Sequence, residues 1–145
     1  MKRFLVLCAL LAITDLPTVA QSASCTVTIH VDGFRNQKGD LGVTVFKSAD
    51  GWPENNAKAL QHGGYPFSGD KASVKLDLPE GRYAFAVIHD ENSNHKLDRN
   101  LVGFPKEGFG FSNNPKVYLT APGFEAAATQ VTCPVTDISI HLIYK

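Results

Sequence analysis

The sequence predicts an all-β protein: an antiparallel, Ig-like β-sandwich of about seven strands with at most one short helix. In several short segments, apolar and polar residues alternate with a period of two, which is typical of strands with one buried face. Glycine, proline and asparagine separate these segments at regular intervals. Short strands with frequent turns favour two packed antiparallel sheets.

All but one of the predicted strands show this alternation. Tyr83 to Ile88 is apolar on both faces, which favours a central strand that is covered on both sides. The first two strands are expected to form a hairpin with a longer loop. The strand segments are Cys25 to Val31, Leu41 to Phe46, Ala72 to Leu78, Tyr83 to Ile88 and Thr136 to Tyr144, with a further strand region at Tyr118 and Phe124 to Val131.

The N-terminus has the pattern of an export signal. A basic start precedes an apolar run, Phe4 to Ile13, that is too short to span a bilayer, and small residues follow it. We interpret residues 1–20 as a signal peptide, with cleavage after Ala20 or Ala23, and residues 21–145 as a single β-sandwich domain. The protein is therefore expected to be periplasmic or secreted, with no transmembrane span in the mature chain.

Two cysteines, Cys25 and Cys133, lie near opposite ends of the predicted domain. In an exported chain such a pair favours a disulfide, and two buried free thiols are the alternative.

The charge of the chain is balanced, with 14 basic and 14 acidic residues. No basic run stands out, so composition disfavours nucleic acid and anionic membranes as partners.

A short helix is expected at Pro53 to His62, because proline suits a first helical turn and Gly63 suits the end. Trp52 and Tyr65 are expected to pin this segment onto the sandwich. Phe109 and Phe111 alternate with glycines further along the chain. The alternative interpretation is that all four aromatic rings form an exposed platform for a ligand.

An acidic loop follows the central strand and has the spacing of a calcium-binding loop. Asp90, Asn92, Asn94 and Asp98 occupy positions 1, 3, 5 and 9, and the backbone carbonyl of Lys96 falls at position 7. Calcium prefers such carboxylate, amide and carbonyl oxygens. The competing interpretation is an Asx-rich turn held by its own side-chain-to-backbone hydrogen bonds.

Two positions depart from the calcium-loop pattern. His95 occupies the position that normally carries glycine, and Leu101 stands where a bidentate glutamate is expected. Glu91 or Glu107 could supply the missing carboxylate, with Glu107 brought in by the following glycine-rich segment. Otherwise water would complete the site and the affinity would fall.

Other histidines offer weaker alternatives. His89, next to Asp90, is the best acid or base for a small enzyme, although a histidine at the end of a buried strand is more often bonded to backbone. His30 and His141 fall on the outward faces of the first and last strands. If those strands are neighbours, the two rings could chelate a transition metal.

Three stretches carry a family resemblance: VFKSADGWP, then LPEGRYAFAVIHDENSNHKLDRNLVGFPKEGFGFSNN, then APGFEAA. They resemble an exported bacterial family, the domain of unknown function 2141, and the likeness runs from about Leu41 to Tyr144. The family usually has glycine where this chain has His95. The resemblance implies a secreted or periplasmic β-sandwich related to transthyretin-like and carboxypeptidase-regulatory-type domains, and it implies no particular activity.

These observations together predict a non-catalytic accessory or binding module of the cell envelope, since a sandwich holds variable loops rigidly. The expected ligand is an envelope protein, a peptide or a carbohydrate, and the expected cofactor is Ca²⁺ in the acidic loop. The alternatives are a small enzyme with a site at His89 and Asp90, and a transition-metal binder using His30 and His141.

Overall fold

Eight strands are the main regular structure of the computed structural model, which describes residues 24–145. The predicted signal peptide lies outside the described residues. One α-helix of four residues and one short 3-10 helix, Asn56–Lys58, accompany the strands. In chain order the elements are β1 (Ser24–Asp32), β2 (Asp40–Phe46), β3 (Gln61–Tyr65), β4 (Lys71–Pro79), β5 (Gly81–Asp90), β6 (Gly108–Phe111), α1 (Phe124–Ala127), β7 (Thr129–Val131) and β8 (Val135–His141).

The strands form two sheets that pack face to face. The first sheet has the order β4-β1-β8, and the second has the order β3-β2-β5-β6, with β7 paired to the start of β5. Strands β1 and β8 run parallel, and the other pairs are antiparallel. The prediction of an all-β sandwich is confirmed, with this one parallel pair as a departure from it.

Strand β5 is buried on both faces, as its sequence predicts. Tyr83, Phe85 and Val87 point into the core between the two sheets, where they meet apolar residues of β1, β2, β4 and β8. Ala84 and Ala86 point to the opposite face of the second sheet. That face carries a second hydrophobic cluster, so the protein has one core between the sheets and another outside them.

The second cluster, which we call the outer cluster, is covered by two irregular segments. The Trp52 ring packs on Phe46, Phe111 and Phe124 with ring centroids 5.4, 5.5 and 6.1 Å apart. Its Nε1 donates a hydrogen bond of 2.8 Å to the carbonyl of Pro122. These contacts join the segment before β3 to the segment around α1, and the two segments together cover part of the outer face of the sheet.

The predicted hairpin between the first two strands is wrong. Strand β1 pairs with β4 and β8, whereas β2 pairs with β3 and β5 in the other sheet. The connection from residue 33 to residue 39 therefore crosses between sheets. A period of two shows which face of a strand is buried but does not identify the strand beside it.

The predicted helix from Pro53 to His62 is also wrong. A single 3-10 turn forms, where the Asn55 side chain accepts a hydrogen bond from the backbone N–H of Ala57. Strand β3 then begins at Gln61 and pairs with β2. Sheet pairing at this open edge prevails over a weak local helix preference.

The predicted strand from Phe124 to Val131 is correct only in its second half. Residues Phe124–Ala127 form α1, and the strand begins at Thr129. Tyr118 lies in an irregular segment. The helix turns Phe124 and Ala127 onto the outer cluster.

The predicted disulfide between Cys25 and Cys133 is confirmed. It joins β1, whose Cys25 is fully buried, to the segment that leads into β8. The bridge spans a sequence separation of 108 residues.

Replacing both cysteines by alanine is expected to lower the free energy of unfolding by about 3 to 5 kcal/mol, because a bridge over so long a loop restricts the unfolded chain. Urea unfolding followed by Trp52 fluorescence measures this difference. Wild-type protein in a strongly reducing buffer is the control and should match the variant. Equal midpoints for the oxidised wild type and the variant would contradict the expectation.

Candidate metal-binding loop and adjoining groove

Asp90, the last residue of β5, forms the base of the acidic loop. Its side chain is almost fully buried. One carboxylate oxygen accepts the backbone N–H of Asn94 at 3.0 Å and the other accepts that of His95 at 2.6 Å. Asp90 therefore holds a tight turn from within. His95 has a φ of +62°, the left-handed geometry that glycine normally provides, at a cost of about 1 kcal/mol for a residue with a Cβ.

Three further polar side chains of the loop converge above this base. The amide nitrogens of Asn92 and Asn94 donate to the two oxygens of Asp98, at 2.8 and 3.0 Å. These hydrogen bonds lower the pKa of Asp98 below its usual value. The side chains at positions 3 and 5 of the predicted loop, Asn92 and Asn94, therefore both contact the side chain at position 9, Asp98. Lys96, at position 7, is exposed, and its backbone N–H donates to the side-chain amide oxygen of Asn94 at 2.9 Å.

Glu107 approaches the loop from the start of β6. It is buried, and its two oxygens accept the backbone N–H groups of Glu91 at 3.0 Å and Asp98 at 2.9 Å. Burial raises the pKa of Glu107, and the two N–H donors oppose that effect. Of the two carboxylates that could replace the missing twelfth-position ligand, Glu107 lies against the loop, whereas Glu91 turns towards Arg35.

The three carboxylates of the loop region stand apart from one another. Among the described residues, one group of three histidine, cysteine or acidic side chains is close enough to share an ion, and it consists of Cys25, Glu80 and Cys133. The two sulfurs of this group are joined in the disulfide. Any ion in the acidic loop would therefore depend on the amide oxygens of Asn92 and Asn94 as much as on carboxylates.

His89 is fully buried between the sheets. Its Nε2 lies 2.8 Å from the carbonyl of Lys38 and its Nδ1 lies 2.8 Å from the hydroxyl of Tyr144. A carbonyl only accepts hydrogen bonds, so Nε2 carries a proton, and in the neutral ring Nδ1 accepts from Tyr144. Phe34 and Phe67 pack against the ring. The imidazole thus has a complete set of partners and no surface for a substrate.

A network around Arg35 was not predicted from the sequence. The guanidinium bonds both oxygens of Glu91, at 2.5 and 3.0 Å, donates to the Lys106 carbonyl at 2.9 Å, and lies 4.7 Å from the centre of the Tyr144 ring. The hydrogen bond from Arg35 lowers the pKa of Glu91. Burial raises the pKa of Tyr144. Arg35 ties the segment before β2 to the acidic loop, and no local sequence pattern marks a pair 56 residues apart.

His30 and His141 lie on neighbouring strands, which meets the condition for the predicted transition-metal site, but each has its own carboxylate partner. His30 contacts Asp137 at 3.2 Å and Ser73 at 2.9 Å. His141 pairs with Asp32. In the parallel register His30 is opposite Ser139 and not opposite His141.

The four predicted aromatic ligand residues divide between the two cores. Phe109 and Phe111 are buried in the outer cluster, and Trp52 is half-buried against it. Tyr65 packs against the core between the sheets. These four rings therefore do not form one exposed platform, and their contacts are those expected of residues that pin the loops to the sandwich.

A groove crosses the outer face of the second sheet beside the acidic loop. Its central part has a volume of about 580 Å³. His95, Lys96 and Leu97 form one wall, and Glu54 lies among the residues of the opposite segment. A second depression of about 330 Å³ continues past His95 towards β3. Volumes of this size are typical of sites for small or extended ligands.

A comparison with models of protein families identifies the family of this chain. The model of a family described as "Uncharacterized protein conserved in bacteria (DUF2141)" matches residues 29–139. The chain belongs to this family. Among curated proteins and solved structures no match was found. The matched range contains the acidic loop, Glu107 and all four aromatic residues that were predicted to bind a ligand.

The Arg35–Glu91 pair gives a prediction with a defined pH dependence. Because the folded-state pKa of Glu91 lies below its usual 4.5, the pair stabilises the fold fully above that pH and loses this effect as the pH falls through the lowered pKa. Arg35→Gln should lower the free energy of unfolding by about 1 to 2 kcal/mol at neutral pH.

Urea unfolding of wild type and variant at several pH values measures the difference, which should shrink in acid. Arg82→Gln is the matched control, because it removes an exposed pair with Glu125 and should change the free energy of unfolding little. A difference for Arg35→Gln that stays constant with pH would show that the pair is not its cause.

Proposed function

We propose that this protein is an exported, non-catalytic binding or accessory module of the cell envelope whose acidic loop is stabilised by calcium. One observation carries the proposal. Asn92, Asn94 and Asp98 converge above Asp90 in the order that a calcium loop requires, and the turn at His95 has the left-handed backbone of such loops.

The donor set suits calcium better than other ions. Side-chain oxygens of Asp90, Asn92, Asn94 and Asp98 and the carbonyl of Lys96 are all hard ligands. Glu107, buried behind the loop, is the nearby carboxylate that could extend the set. A transition metal would favour histidine or cysteine instead.

The hydrogen bonds within the loop set a limit on affinity. The amide nitrogens of Asn92 and Asn94 face Asp98, and each amide oxygen accepts a backbone N–H. An ion must compete with these bonds and reorient the amides. We therefore expect a dissociation constant of roughly 0.1 to 1 mM, as in extracellular calcium modules.

The groove supplies the binding part of the proposal. His95, Lys96 and Leu97 belong to the loop and also form its wall. An ion that fixes the loop would fix this wall, which would favour a peptide, a carbohydrate or a segment of an envelope protein in the groove. The disulfide supports an oxidising compartment such as the periplasm. None of the described helices is both long and apolar enough to cross a membrane.

The two alternative functions have weaker support. A small enzyme acting through His89 and Asp90 would need substrate contact, but both side chains are almost fully buried and bonded to backbone groups. A transition-metal site at His30 and His141 would require both rings to leave their carboxylate partners.

A calcium titration tests the proposal. Calcium at ten times its dissociation constant should stabilise the fold by about 1.4 kcal/mol, seen as a rise in melting temperature. It should also slow proteolysis within residues 90–98. Asp98→Asn should abolish most of both effects, because it removes the carboxylate on which the amides converge.

Asp137→Asn is the matched control, since it removes an exposed carboxylate from the other sheet. Its response to calcium should equal that of wild type. Unchanged melting temperature and unchanged proteolysis on adding calcium to wild type would refute calcium binding.

A further inference from the structure

Exposed apolar side chains are concentrated on two loops. Among the described residues seven large apolar side chains are exposed, and five of these lie on residues 99–106 and 113–121, which we call the apolar loops. Their exposed fractions are high: Leu101 is fully exposed, and Leu119, Val102 and Tyr118 expose 85, 76 and 74%. Phe104 completes the set.

The first apolar loop is a turn that is held by hydrogen bonds to Asn100. The Asn100 side-chain oxygen accepts the N–H groups of Val102 and Phe104, each at 3.0 Å, and the Asn100 N–H donates to the Phe104 carbonyl at 2.8 Å. Gly103 takes the positive φ of +88° that closes the turn. Leu101 and Val102 are thereby held at its tip.

The second apolar loop is attached to the end of the described chain. Lys145 Nζ donates to the carbonyls of Val117 at 2.9 Å and Tyr118 at 3.4 Å. The two loops flank one cavity of about 430 Å³, with Val102 and Phe104 on one side and Tyr118 and Leu119 on the other. Four of the five exposed side chains therefore surround one cavity, and with Leu101 at the tip of the first loop they make up what we call the apolar patch.

The charged side chains carried by the apolar loops are all basic. Arg99, Lys106 and Lys116 are exposed on the apolar loops, which contain no aspartate or glutamate. Lys145 lies at the cavity between the two loops. The carboxylate at the cavity edge, Glu54, is paired with Arg99. The chain as a whole is neutral, so this local excess of positive charge does not appear in its composition.

We propose that the apolar loops dock the protein on an anionic phospholipid surface. Protruding apolar tips can enter the boundary between headgroups and acyl chains, and the surrounding lysine and arginine side chains then face lipid phosphates. A concave site for a peptide would bury such side chains in its walls, whereas Leu101 and Leu119 are almost fully exposed. This proposal goes beyond the proposed function and does not depend on calcium binding by the acidic loop.

Cosedimentation with vesicles tests the docking surface. One set of vesicles contains phosphatidylcholine alone, and the other contains equal parts of phosphatidylcholine and phosphatidylglycerol. All measurements are made in EDTA, so that a failure of calcium binding leaves the result unaffected. Wild-type protein should bind the anionic vesicles, bind the neutral ones weakly, and lose affinity at high salt.

Two variants separate the apolar contribution from the charge. The double variant Leu101→Ser and Leu119→Ser should lower affinity by about tenfold or more, because two side chains no longer enter the interface. Lys116→Gln should lower it about fivefold. Both changes are at exposed positions, and circular dichroism checks that the variants are folded.

Val135→Ser and Lys71→Gln are the matched controls, because these residues are exposed on other parts of the surface. They should bind like wild type. All proteins are prepared as the predicted mature chain, residues 21–145, so the apolar run from Phe4 to Ile13 does not contribute to vesicle binding. Equal affinity of every variant, or equal binding to both kinds of vesicle, would overturn the proposal. A dimer in solution that the leucine variants dissociate, without vesicle binding, would assign the patch to a second copy of the chain instead.

Discussion

The architecture depends on β5, a strand that is buried on both faces and ends in a buried aspartate. Its inner side chains belong to the core between the sheets, and its outer ones need a cover that no third sheet supplies within residues 24–145. The segments around Trp52 and α1 provide that cover and pack on each other. These covering segments are irregular and do not form a sheet of their own, so they leave gaps between them. The groove and the cavity between the apolar loops are two of these gaps.

The polar residues at the end of β5 are buried and therefore need hydrogen-bond partners. Buried polar groups must find partners, and in the described part of the chain every buried side-chain nitrogen or oxygen has one. His89, Asp90 and Glu107 meet this requirement by bonding to Tyr144 or to backbone groups. The acidic loop is consequently ordered by carboxylates that lie beneath it. Such a loop can hold the geometry of an ion site and still gain only modest stability from the ion.

The features that sequence could predict are those fixed by local pattern. Period-two alternation and the two-sided burial of Tyr83 to Ile88 predicted β1, β2, β4, β5 and β8 but missed β3 and β6. Spacing alone predicted that Asn92, Asn94 and Asp98 would converge. The remaining features depend on residues distant in the chain. Sheet partners, the Arg35–Glu91 pair and the joining of the two apolar loops all require the tertiary fold, and neutral overall charge conceals where the exposed lysines gather.

Amide hydrogen exchange of the calcium-free protein tests most directly whether the buried aspartate orders the loop. The N–H groups of Asn94 and His95 point to Asp90 inside the fold. We predict that both exchange slowly, approaching the protection of Val87 in β5, and that Asp90→Asn greatly accelerates their exchange. Exchange of these two amides in the wild type at the rates of an unstructured peptide would contradict the account.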